Sequence, residues 1–107
     1  MKITYNKLIR DNIPEIIKTS NKTCITETLS DNEYIVKLKE KVIEEAHEVF
    51  NASEDEIIGE LADILELIEA IEEYYHLSHD DVLRYKEKKA ETNGKFKKRL
   101  LLKEVHQ

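Results

Sequence analysis

The carboxylates Glu45, Glu48, Glu60 and Asp63 fall in two pairs, each spaced by three residues, and all but Glu48, which borders Lys41 and Glu44, are set into apolar periodicity. Glu60, Ile64, Leu67 and Ile71 follow one another at intervals of four, three and four, and Asp63, Leu67, Ala70 and Tyr74 follow on the adjacent line. On an α-helix those intervals share a face, so both acids prolong an apolar stripe at its N-terminal end. Upstream, Leu38, Val42, Glu45 and Val49 make a similar line, with Glu48 one turn beyond Glu45. An ionised acid in an apolar arc is unfavourable unless a base pairs with it or a metal ion binds it. Glu66, Glu69 and Glu73, by contrast, align with one another on a predicted solvent face.

These acids need two helices to bring them together. Ser30 or Asp31 caps a predicted helix running to about Asn51. Ser53 followed by Glu56 has the spacing of a capping box and opens a second, to about His76. The short connection makes the two an antiparallel hairpin. Glu45 and Glu48 near the end of one helix then meet Glu60 and Asp63 near the start of the next. Four converging acids cannot all remain ionised without cations between them. An all-oxygen donor set selects a hard ion, so Mg²⁺, or Mn²⁺ in its place, is the expected cofactor. Such an ion bridges phosphate oxygens and activates water, which is chemistry for cleaving a phosphoanhydride.

Around the hairpin, residues 8–18 read as a short helix with Pro14 in its first turn and Asp11 or Asn12 as cap. Ser78 opens a last helix that stops near Asn93-Gly94. Residues 23–29 and 96–105 alternate, and together predict a minor β-hairpin or ribbon. The expected fold class is therefore all-α: a helical bundle around an antiparallel helix hairpin, in one domain spanning residues 1–107.

The segment Lys41-Val-Ile-Glu44-Glu45-Ala-His-Glu48, followed by Gly59-Glu60-Leu-Ala-Asp63-Ile-Leu, resembles the ExxE and ExxD pair of the MazG-like, all-α nucleoside triphosphate pyrophosphohydrolases. Tyr5-Asn6-Lys7-Leu8-Ile9-Arg10-Asp11-Asn12-Ile13-Pro14 resembles the opening of the phosphoribosyl-ATP pyrophosphohydrolase-like subgroup, and Glu87 through Leu100 resembles its closing segment. The closing turn, Thr92-Asn93-Gly94-Lys95-Phe96, is one residue longer than the subgroup's Arg-Gly-Gly-Phe type. The resemblance implies Mg²⁺-dependent hydrolysis of a nucleotide to a monophosphate and pyrophosphate. It implies Glu45, Glu48, Glu60 and Asp63 as metal-binding and catalytic residues, and Lys7, Arg10, Lys88 and Arg99 as substrate-binding ones. Asp11 orients Arg10, binds the substrate or caps the helix; Asn6 and Phe96 are candidates for base or sugar contacts. Assembly as a homodimer or higher homo-oligomer is expected, because the long helices bury their faces poorly alone and relatives of this kind form bundles across subunits.

Composition narrows the alternatives. The 107 residues are 40% hydrophobic and 37% charged, with two glycines and one proline, as a helical protein requires. A net charge of −6 argues against general nucleic-acid binding, which needs a basic surface to displace counterions. Cys24 is the sole cysteine, so an intrachain disulfide is excluded and a cytoplasmic location is expected. No apolar run has the length of a membrane span. Glu44-x-x-His47 and Glu73-x-x-His76 have the spacing of di-iron ligands, but Glu73 belongs to the solvent line and no four-long-helix frame accompanies them. The rival from another class is a catalytically silent helical module that binds a nucleotide or a protein.

Overall fold

The computed structural model describes residues 1–107, and all of its regular structure is helical: α1 (Ile13–Thr19), α2 (Asp31–Asn51), α3 (Ile57–Tyr74) and α4 (His79–Asn93). Helix α2 begins where its sequence directs. Ser30 is extended and accepts the Glu33 backbone N–H through its hydroxyl, while the Glu33 carboxylate accepts the Ser30 N–H. Two amides that a helix start leaves unpaired are thereby satisfied, and Asp31 and Glu33 add negative charge at the positive end of the helix dipole.

At the start of α3 only half of the expected box forms. The Glu56 carboxylate accepts from the Ser53 N–H at 2.9 Å, but the Glu56 N–H bonds the Ser53 carbonyl rather than its hydroxyl. Residues 54–56 form a turn and the helix opens at Ile57. Helix α4 ends on Gly94, whose φ of 85° suits a residue without a Cβ.

Packing centres on the α2–α3 hairpin. Ile35, Leu38 and Leu67 are the buried apolar residues, with Leu8, Tyr34, Val42, Ala70, Ile71 and Tyr74 against them. Leu67, Ala70, Ile71 and Tyr74 are the stripe that the intervals of three and four define, so periodicity fixes which way α3 faces. Helix α4 extends away from the hairpin, and the molecule is elongated, 62 × 34 × 26 Å.

Two expectations are corrected. The β-hairpin does not form: residues 23–29 and 96–105 share no backbone hydrogen bond, and Ile25, Leu100, Leu101, Leu102 and Val105 are exposed. A two-stranded ribbon is marginal without a surface to pack on, and the hairpin core offers these segments none. The first helix begins at Ile13 rather than residue 8. Pro14 sits at its start, and its ring conflicts with a helical carbonyl four residues back, so residues 8–12 cannot continue the helix toward the N-terminus. They run instead along the hairpin, anchored by Leu8 in the core.

Candidate metal centre

The hairpin brings Glu45 of α2 to Glu60 and Asp63 of α3. One carboxylate oxygen from each lies within 4.8 Å of the others, and all three side chains are half-buried. Each acid owes its place to a helix: Glu45 continues the line Leu38, Val42, and the α3 acids precede Leu67 on theirs. Glu60 also lies in the first turn of α3, where the helix dipole favours an anion.

The cluster is electrostatically unfinished. Glu45 Oε2 is buried with no hydrogen-bond partner. Burial pushes the Glu45 carboxyl above the usual carboxylate range, a shared hydrogen bond with Glu60 adds to this, and the charges of Asp63 and Glu60 raise it further; Lys41 opposes them. The one base bound to the cluster is Arg10, whose Nη2 donates to Asp63 Oδ1 at 2.7 Å. Both partners are about half exposed, so that pair contributes only about 0–1 kcal/mol and remains free to exchange.

Beside the acids, the N-terminal segment builds a cationic margin. Lys7 Nζ donates to Glu44 Oε1 at 3.2 Å, and Lys41 Nζ lies 3.8 Å from the same oxygen. The hydrogen bond from Lys7 holds the Glu44 carboxyl below its ordinary range, helped by the charges of Lys41 and Lys7. A cavity of about 60 Å³ opens here, lined by Asn6, Lys7, Leu8, Lys37, Glu40, Lys41 and Glu44.

Three oxygen donors with one buried, orphaned oxygen suit a hard divalent cation such as Mg²⁺ or Mn²⁺. Of the acids expected here, Glu48 lies apart: it is exposed, one turn along α2, and does not join the triad. Lys7 and Arg10 are brought to the hairpin acids. Asp11, Lys88 and Arg99 are exposed and make no ion pair or side-chain hydrogen bond, and Phe96 is 97% exposed. Arg99 adopts a φ of 57° just past the end of α4. His47 and His76 are exposed and outside the acid cluster, so no di-iron ligand set assembles.

Two residues escaped the sequence reading. Glu44 anchors Lys7, a contact that no spacing in the sequence marks. Glu72 is buried at 6% exposure, and both of its oxygens lie 3.0 Å from His79 Nδ1. Helical spacing gives no signal for it, because Leu61 and Leu65 on the same line of α3 are about half exposed.

Comparison with known proteins leaves the chain without a family. No family model matches it, and no solved structure matches it. An uncharacterized protein of Mycolicibacterium smegmatis is 46% identical over 43 residues, a stretch covering 40% of this chain and 44% of that relative.

Proposed function

We propose that this chain is a cytoplasmic, Mg²⁺-dependent pyrophosphohydrolase of the MazG-like kind, with Mn²⁺ as a possible substitute. It would convert a nucleoside triphosphate, or a phosphoribosyl-ATP-like nucleotide, to a monophosphate and pyrophosphate. The observation that carries this reading is the convergence of Glu45, Glu60 and Asp63 around the orphaned Glu45 Oε2. A divalent ion bound there would neutralise the acids, polarise a phosphoanhydride oxygen and lower the pKa of a bound water.

The chain's own residues divide the remaining work. Glu45, Glu60 and Asp63 hold the charge that binds the cation, and Glu48 is the fourth acid on grounds of sequence. One of the glutamates would also take the proton of the attacking water. Arg10 leaves Asp63 and turns its planar donor fork to a phosphate. Lys7 acts as a second phosphate charge at the rim, and Asp11 positions Arg10. Lys88 and Arg99 are assigned to the substrate on the resemblance alone.

Lys88 and Arg99 are exposed and in no ion pair, which leaves room for a second reading, a module that binds a nucleotide or protein without turnover. Pyrophosphate release decides between them, measured over canonical and modified nucleoside triphosphates and phosphoribosyl-ATP with Mg²⁺ or Mn²⁺. The hydrolase reading expects metal-dependent release that falls more than about 100-fold in Glu60→Gln, since even outer-shell changes at metal sites cost 10–100-fold. No release from any nucleotide by the folded protein would support the binding module.

A further inference from the structure

Glu72 is the one buried charged residue of the chain, and it sits where α3 turns into α4. Its side chain is 8% exposed, and both of its oxygens lie 3.0 Å from Nδ1 of the half-exposed His79. Its backbone holds the same corner. The Leu77 N–H donates to the Glu72 carbonyl at 2.8 Å and the His76 N–H to the Glu73 carbonyl at 3.1 Å, the paired closure that ends many helices. That closure needs a left-handed residue, a place glycine usually takes, and His76 occupies it with a φ of 56°. A side chain with a Cβ is thus held in an unfavourable conformation at the corner.

Little else directs α4. It contains no buried residue and does not pack along the hairpin. Its other ion pairs, Arg84 with Asp81 and Lys86 with Glu87, stay within the helix. Glu72 with His79 is therefore the one side-chain polar contact between α4 and the rest of the chain. The charges that face His79 are all acidic: Glu72 and Glu69 from α3, and Asp80 from α4 itself. From α2 the corner receives Lys39, whose ammonium lies over the Tyr75 ring, 5.7 Å from its centroid. Donating to Glu72 makes the imidazolium harder to deprotonate, and the Glu72 charge adds to this; burial opposes it, and Glu69 and Asp80 contribute the rest. His79 also opens α4, where the helix dipole disfavours a cation, so the acids are what hold its proton.

We propose that the corner between α3 and α4 is a proton-operated hinge: protonated His79 clamps the first turn of α4 to Glu72, and neutral His79 releases it. A carboxylate this buried is unfavourable without a compensating charge. When the imidazole loses its proton, Glu72 is left in that position without a cation, and turning out to water becomes the favourable course. Opening costs α4 little, since none of its residues leaves a buried site, and it frees His76 from its left-handed conformation. Residues 75–78 absorb the change, as residues at the ends of elements do in other hinges. What swings is a basic arm, because α4 carries Lys88 and Lys89 and leads past Gly94 to Lys97, Lys98 and Arg99. The direction of that arm relative to the acidic hairpin is thereby set by pH. The hinge uses none of the acids of the candidate metal centre, so its failure is separate from any failure of the hydrolase reading.

The test is a distance between α3 and α4 in the whole chain, without metal or nucleotide. On a Cys24→Ser background, Glu66→Cys and Lys89→Cys place a spin label at an exposed position of each helix. Dilution with unlabelled chain restricts the reading to pairs within one molecule. At about pH 5.5, below the ordinary histidine value of about 6.5, one narrow distance distribution is expected, and at about pH 8.5 a broader, shifted one. The midpoint of the change should coincide with the titration of the His79 imidazole followed by NMR. His79→Gln, with no proton to lose, should give the same distribution at both pH values, and so should Glu72→Gln, which removes the charge on the other side of the pair. Should one of these variants lose its helices, the other decides. Matching distributions at the two pH values with His79 and Glu72 in place overturn the proposal, as does a pH response that survives in either variant or follows a midpoint other than that of His79.

Discussion

Glu45 concentrates the tension of the candidate site in one side chain. A buried carboxylate oxygen without a partner destabilises the metal-free protein, so Glu45→Gln should stabilise it by roughly 1–2 kcal/mol. The same variant should lose the thermal stabilisation that Mg²⁺ gives the native chain. The pH dependence follows from the raised carboxyl pKa. Between the unfolded and folded values the native state binds the extra proton, so metal-free stability should rise as pH falls from neutral toward the ordinary carboxylate value of about 4.3. Glu44 and Glu56, whose carboxyls are held low, weaken the fold only as pH falls toward and below that value, and His79, whose pKa is raised, acts only above about 6.5. Melting scans between about pH 6.5 and 5 should therefore slope for the native chain. In Glu45→Gln this contribution should be absent.

The helices were legible in the sequence to different degrees, for reasons particular residues make plain. Ser30 with Glu33 and Asn93 with Gly94 are local signals that act through backbone geometry, and they mark the start of α2 and the end of α4. Pro14 is equally local and has two effects: it permits a helix to begin and also forbids one before it. The acid triad was legible because a hairpin with a short connection fixes the level of each residue. Glu48 was placed by motif spacing, and spacing along one helix does not bring a side chain to its neighbour.

Glu72 shows what spacing leaves undecided, since its burial depends on the turn after α3 bringing back His79. Their contact joins α3 to the start of α4 and carries a second pH signal. The hydrogen bond that His79 donates to Glu72 raises the His79 pKa, and the charge of Glu72 adds to it. A raised histidine contributes stability that is complete below its unfolded value, about 6.5, and is lost as pH rises through the folded value. His79→Gln should thus flatten the decline in melting temperature just above pH 6.5. An unchanged slope would show that this contact does not couple the two helices.

At the scale of the whole molecule, assembly and metal binding should respond to different variables. Residues 23–29 and 96–105 could not be placed from alternation alone, because a strand needs a partner that sequence does not supply. If dimer and metal both stabilise the fold, each leaves its own mark on the melting temperature. A dimer makes it rise with protein concentration, and a bound ion makes it rise with Mg²⁺ by RT ln(1 + [Mg²⁺]/Kd), about 2.7 kcal/mol at 100-fold over Kd. Because Ile43 is exposed and outside the acid cluster, the two dependences should separate by mutation. Glu60→Gln should abolish the Mg²⁺ dependence and keep the concentration dependence; Ile43→Glu should do the reverse. A Mg²⁺ response lost in Ile43→Glu while its helices persist would mean that the acid cluster needs the partner to hold its shape.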